Sequence, residues 1–124
     1  MIDLDKGWTL AAMSTTDATG EQISKLDYDD SAWLPTTVPT TVLAAQVAAG
    51  EIEDPYFGRN FETIDPEPFA GPWWYRTVFT HPGPPEAHTR LVLEGVNYSA
   101  EVWLNGRQVA GRDEVFGAFR LFDL

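Results

Sequence analysis

The sequence contains no cysteine. That absence removes disulfide bridges, zinc–thiolate sites and cysteine nucleophiles together. Basic residues are scarce: eight Lys and Arg stand against nineteen Asp and Glu, for a formal net charge of −11. A surface of that sign repels phosphate backbones and anionic headgroups, so neither nucleic acid nor a membrane is expected as a partner. No apolar run approaches the ~20 residues that a membrane-spanning helix needs. The opening MIDLDKGW has no basic stretch followed by an apolar one, so no signal peptide is read there and a cytoplasmic chain is the default expectation. Histidine is limited to His81 and His88, on either side of a proline-rich break and without further ligands at zinc spacing, so no metal site is expected. No serine stands in a G-x-S-x-G elbow and no glycine-rich loop is built to cradle phosphates; no cofactor is expected.

What the chain does have is apolar bulk. Of its 124 residues 44% are hydrophobic, and five Trp, seven Phe and four Tyr supply volume for the core of one domain. Residues 7–13 read as a first strand, with Trp8 and Leu10 on one face, followed by a polar loop over 14–21. The Asp29-Asp30-Ser31 cluster is turn chemistry, and Trp33 is a candidate anchor. Thr40 or Thr41 can cap a short helix over 42–49 that Gly50 ends. Residues 51–71, rich in proline, read as a long irregular stretch. Period-two patterning then predicts strands over 73–80, 90–94, 98–104, 107–110 and 118–124. Asn105-Gly106 is the strongest hairpin signal, because both central positions of the tight turn need positive φ. About six strands and one short helix predict an all-β sandwich with antiparallel neighbours, and a chain that stops within a strand suggests further strands are missing.

Alternate side chains on a strand face opposite ways. Trp73, Tyr75, Thr77 and Phe79 therefore share one face, and Trp74, Arg76 and Val78 the other. Trp73, Tyr75 and Phe79 are assigned to the inter-sheet core, and Trp74 and Arg76 are expected to point outwards or towards another domain. The hairpin repeats the pattern: Ala100, Val102 and Leu104 form an apolar face, with Glu101 and Trp103 opposite. Two readings stay open for these outward rings, a surface covered by a neighbour or local burial by twist and loops. Carboxylates give no catalytic constellation. Hydrolysis of a glycosidic bond with retention needs two carboxyl groups about 5 Å apart. Yet Asp27, Asp29 and Asp30 look like a turn, and Glu51, Glu53 and Asp54 like a solvated loop. No catalytic residue is assigned.

WLPTTVPTTVL (33–43), DPYFGRN (54–60), PWWYRTVF (72–79), LEGVNYSAEVWLNG (93–106) and GAFRLFDL (117–124) occur in this order. The set resembles the N-terminal sugar-binding-type domain of glycoside hydrolase family 2. Within it, DPYFGRN and WWYR point to the branch of β-mannosidases and exo-β-D-glucosaminidases. The resemblance implies a jelly-roll, galactose-binding-like β-sandwich spanning 1–124, joined in a larger enzyme to an immunoglobulin-like domain and a (β/α)8 barrel. Both catalytic glutamates then belong to the barrel, which needs about 250 residues and cannot fit here. The family's jelly roll also continues past the final FDL, so the sandwich is expected to be incomplete at the C-terminus.

One departure stands out. The family usually reads V-P-G-[TS]-V, whereas Thr40 lies between Pro39 and Thr41. A β-branched residue resists positive φ, so the backbone there is either ordinary or remodelled. The resemblance places the loop of residues 54–60 on the barrel side, near the pocket rim. It offers Asp54, Tyr56 and Asn60 as rim or docking residues and Trp74 and Arg76 as interface residues; Trp103 joins them through its outward face. The expected function is a non-catalytic domain of a retaining exo-β-glycosidase that supports the barrel and shapes the rim, this chain alone being inactive. The alternatives are a free-standing carbohydrate-binding module, with Trp74 or Trp103 as its platform and an oligosaccharide as partner, and a self-associating structural fragment.

Overall fold

The computed structural model describes residues 2–84, 88–117 and 120–124. Its elements run β1 (Trp8–Ala12), a 3-10 turn (Met13–Thr15), α1 (Gly20–Ile23), β2 (Leu34–Thr36), α2 (Val42–Ala48), α3 (Asn60–Thr63), α4 (Glu67–Ala70), β3 (Trp73–Thr77), β4 (Val92–Leu93), β5 (Val102–Leu104), β6 (Arg107–Ala110) and β7 (Phe122–Asp123). Among the described residues every strand pairing is antiparallel, as the all-β reading expects. The expected helix is α2; α1, α3 and α4 are additional single turns of four residues each. The chain divides into two compact units, Met1–Asp17 with Asp29–Thr80 and Ala18–Tyr28 with His81–Leu124.

The first unit is built on a three-stranded sheet in the order β2-β1-β3. Leu10 faces Leu34 on one side and Tyr75 on the other, and is 1% exposed. The same register sets Thr9 beside Arg76 and Ala11 beside Trp74, so the predicted division of β3 into two faces holds. β2 is a strand the sequence pattern did not reveal. Pro35 cannot donate to a ladder, and only an edge position tolerates it, which is where β2 lies. α2 forms because Thr41, extended at φ −92°, accepts a bond from Ala44 N at 3.1 Å on its hydroxyl, and Gly50 adopts φ +78° beyond the last turn. Asn105 is the one non-glycine residue at positive φ among those described, so Thr40 keeps ordinary backbone.

The second unit centres on Ala110, Val115 and Phe122, with Leu93, Val96, Ala100, Val102 and Leu124 packed against them. Asn105 and Gly106 turn the β5–β6 hairpin at φ +49° and +83°, as their side chains predict. The strand expected over 98–104 shortens to β5, which itself carries a register shift between Val102 and Trp103; before it, Ser99 forms an isolated bridge to Phe116 and Ala100 N donates to Val115 O at 2.9 Å. The strand expected over 90–94 shortens to β4, although Leu91 and Leu124 still exchange backbone bonds at 2.9 Å. Ala118, where the last strand was expected to begin, lies outside the described residues. One core assignment, Phe79, is corrected, and one residue of the expected apolar face, Leu104, is exposed. Phe79 lies beyond the end of β3, where strand alternation no longer sets its direction, and is 39% exposed. Leu104 sits at the mouth of the hairpin turn and is also exposed.

Candidate functional site

Residues 54–60 form a loop closed on itself. Asp54 Oδ1 accepts from Tyr56 N at 2.9 Å, the Asx turn that an Asp-Pro start favours. Asp54 O accepts from both Phe57 N at 3.2 Å and Asn60 Nδ2 at 2.9 Å, and Phe57 O accepts from Asn60 N at 3.2 Å. Gly58 takes the left-handed φ of +60° that the reversal requires. Pro55 is buried beneath, so the loop has an apolar foot. Two of the three residues singled out there, Asp54 and Asn60, thus fix the loop's shape. The third, Tyr56, is thrown into solvent at 92% exposure, with Phe57 beside it at 76%. Phe57 was not singled out from sequence; its position next to Tyr56 at the tip of a closed turn was the available signal.

Trp74 and Arg76 share one face of β3, but Arg76 does not point outwards. It is 8% exposed, and its Nη1 donates to Asp30 Oδ2 at 2.9 Å, an oxygen that also accepts from Thr9 Oγ1 at 2.7 Å. The reason is the register: Thr9 lies directly beside Arg76, and the turn before β2 brings a carboxylate over both. Asp30 opens that turn, its carbonyl accepting from Trp33 N at 2.9 Å, but unlike its neighbour Asp29, whose Oδ1 accepts from Ser31 N at 3.0 Å, it sends its carboxylate to a distant strand. Nothing local distinguishes the two aspartates; only the partner 46 residues away does. Burial pushes the Asp30 pKa upwards and is the largest single effect, but the bonds from Thr9 and Arg76, with the Arg76 charge, outweigh it. The carboxyl is held below its ordinary value. Asp29 is lowered as well, by the hydroxyl and backbone N–H of Ser31. Burial raises the Tyr75 phenol, whose hydroxyl donates to Thr40 O at 3.4 Å. Trp74 is half-buried, and its Nε1 is enclosed without a partner among the described residues.

Trp103 belongs to the second unit and is covered there. A Cβ placed on Gly20 would come within 2.4–2.7 Å of its indole atoms, so the backbone at the start of α1 lies against the ring. α1 is held in place by a capping box between Thr19 and Gln22 and by Gly106 N donating to Ser24 Oγ at 2.9 Å. Local burial, one of the two readings left open for the outward rings, is what Trp103 shows. Asp54, Tyr56 and Asn60 are thus brought together in one loop, Trp74 and Arg76 stand on β3 of the same unit, and Trp103 lies in the other.

With this geometry in view, the likenesses to known proteins fall into one group. A family described as the glycosyl hydrolase 2 galactose-binding domain-like domain matches residues 8–122. The exo-β-D-glucosaminidase of Streptomyces avermitilis is 35% identical over 118 residues, which cover 95% of this chain and 13% of that protein. β-Mannosidase B of Thermothelomyces thermophilus is 31% identical over 118 residues, covering 94% of this chain and 12% of the relative. The crystal structure of the Amycolatopsis orientalis exo-chitosanase CsxA superposes with a TM-score of 0.87 at 31% identity, over 95% of this chain and 14% of that one. The chain thus spans about one-eighth of the length of these relatives.

Proposed function

This chain belongs to the galactose-binding-like domains of glycoside hydrolase family 2, and on that premise we propose that it is the non-catalytic β-sandwich domain of a retaining exo-β-glycosidase acting on β-glucosaminides or β-mannosides. One observation carries the reading: 95% of the chain aligns with only 13% of an exo-β-D-glucosaminidase. A (β/α)8 barrel takes about 250 residues, twice what is present, so the catalytic machinery belongs to another part of such an enzyme. There a glutamate nucleophile and a glutamate acid/base, about 5 Å apart, would carry out the double displacement. The domain's own task is to support that barrel, alongside an immunoglobulin-like domain, and to shape the rim of the substrate pocket.

The loop of residues 54–60 suits a rim. Asp54 and Asn60 hold its backbone through hydrogen bonds that do not depend on a neighbour, and Tyr56 projects from it. Arg76 serves the same end indirectly, tying β1 and β3 to Asp30. The test is hydrolysis of 4-nitrophenyl β-D-glucosaminide and β-D-mannoside by the 124-residue polypeptide. Release of nitrophenol at the buffer rate is expected. Turnover that survives further purification would overturn the assignment of catalysis to another domain.

A further inference from the structure

Of the asparagines in the sequence, only Asn105 is followed by glycine: Asn60 precedes Phe61, Asn97 precedes Tyr98, and Asn105 precedes Gly106 in the β5–β6 turn. The difference is chemical. A backbone nitrogen can attack the side-chain amide carbon of the asparagine before it and close a succinimide ring. A side chain on the attacking residue crowds that approach, and glycine leaves it open. Asn105 is exposed, so water and base reach its amide. The turn therefore carries the nucleophile and the electrophile of one intramolecular reaction, held adjacent by the chain itself.

The fold restrains this pair from one side. Gly106 N donates to Ser24 Oγ at 2.9 Å. The same hydroxyl donates to Glu21 O at 3.4 Å, which leaves its lone pairs for Gly106. Ser24 is the C-cap of α1, so the hairpin turn is seated on the end of that helix. The seat is close: a Cβ built on Gly106 would come within 3.1 Å of Lys25 Cε and 3.7 Å of Glu21 O. All of these residues lie in the second unit. To attack, Gly106 N must give up its proton and turn a lone pair out of the peptide plane towards Asn105 Cγ. The bond to Ser24 Oγ retains the proton and fixes the plane. The hairpin backbone adds to the restraint, with Asn105 and Gly106 held at φ +49° and +83° between the paired Leu104 and Arg107. Release of Gly106 from Ser24 is therefore what frees the nucleophile.

We propose that Asn105 is a site of spontaneous covalent modification, deamidation through a succinimide, and that Ser24 sets its rate by holding the Gly106 N–H. Gly106 N loses its proton to hydroxide and bonds to Asn105 Cγ. The bond from Cγ to the side-chain nitrogen breaks, and that nitrogen takes a proton from water and leaves as ammonia. Water then opens the ring at either carbonyl. Cleavage at Cγ gives aspartate; cleavage at the main-chain carbonyl gives isoaspartate, whose main chain runs through Cβ and Cγ. Nothing is oxidised or reduced, and the net change is water taken up and ammonia released. Either product adds a carboxylate to a chain of net charge −11. Isoaspartate also inserts a methylene into the main chain of a tight turn, which disturbs the Leu104–Arg107 pairing and the seat on Ser24. This chemistry goes beyond the glycosidase reading and does not depend on it.

The test is incubation of the chain in mildly alkaline buffer, with conversion at each asparagine followed by mass spectrometry of proteolytic fragments and isoaspartate separated by chromatography. Asn105 is expected to convert while Asn60 and Asn97 do not, and to convert more slowly in the native chain than in the same buffer with urea. Ser24→Ala should accelerate conversion of the native chain about fivefold, the weight of one neutral hydrogen bond. Ser24→Thr, which keeps the hydroxyl, should convert at the parent rate. Phe122→Leu, which loosens the core of the same unit away from the turn, should also stay near the parent rate. No conversion of Asn105 in the native chain, or equal conversion at Asn60 or Asn97, would overturn the site. An unchanged rate in Ser24→Ala, or a rate in Ser24→Thr as fast as in Ser24→Ala, would overturn the role of the hydroxyl. Equal acceleration by Phe122→Leu and Ser24→Ala would do so too, by showing that the reaction waits on unfolding of the unit and not on release of one bond.

Discussion

Arg76 and Asp30 are the pair on which single-residue changes should tell most. Arg76 is almost fully enclosed, while Asp30 keeps a quarter of its side-chain surface in water. Truncating Arg76 leaves a partly enclosed carboxylate without its charged donor. Arg76→Met is therefore expected to destabilise the fold by about 2–3 kcal/mol, somewhat below the figure for a fully buried pair. Asp30→Asn keeps an acceptor for Thr9 and Arg76 and should cost about 1–2 kcal/mol at neutral pH. The two variants also differ in acid response. Because the folded-state pKa of Asp30 lies below its unfolded value, its stabilising contribution is present above the ordinary carboxylate range and is lost as pH falls through the folded value. Urea midpoints between pH about 7 and about 3 should fall more steeply for the parent chain than for Asp30→Asn. Parallel acid limbs would refute the role given to this carboxylate.

At the scale of elements, the contact of α1 with the β5–β6 hairpin is the informative one. α1 has only four residues, too short to persist on propensity alone, so its place depends on the capping box and on the indole of Trp103 beneath Gly20. Alanine is normally favoured over glycine in a helix by about 1 kcal/mol. Here the added methyl would meet a rigid ring at 2.4 Å, and Gly20→Ala is expected to destabilise by about 1–3 kcal/mol instead. The same substitution in a Trp103→Leu background should cost far less, and thermal unfolding of the four proteins would measure that coupling. Additive effects would show that the ring does not define the position of α1.

For the molecule as a whole, net charge matters most. At −11 with few bases to interleave, acidic side chains repel one another across the folded surface. Screening should relieve that repulsion more than it weakens the largely enclosed Arg76–Asp30 pair. The unfolding temperature is therefore expected to rise by several degrees between about 0.02 M and about 0.3 M sodium chloride, read by differential scanning fluorimetry. A fall would mean that exposed pairs such as Arg59–Glu62 and Lys25–Glu21 contribute more than their geometry suggests.

The local grammar of the chain was legible without coordinates. Asn105-Gly106 announced its hairpin, the Thr40-Thr41 pair its helix cap, and the alternation from Trp73 onward its two faces, because each depends on neighbours within a few residues. The ordered set of motifs likewise named the family and its all-β fold. Asp54, Tyr56 and Asn60 were singled out through the family resemblance, and their nearness in sequence is why one loop holds all three. What could not be read was where the ends of long-range contacts meet. β2 was hidden because Pro35 argues against a strand until an edge position is known to exist. Asp30 looked like Asp29 until β1 and β3 set Thr9 beside Arg76 beneath it. Trp103 looked outward until Gly20 was found against its indole. Sequence determines side-chain chemistry and short-range periodicity; only the tertiary structure decides which distant backbone covers a given face, and so which charge is buried and which ring stays free.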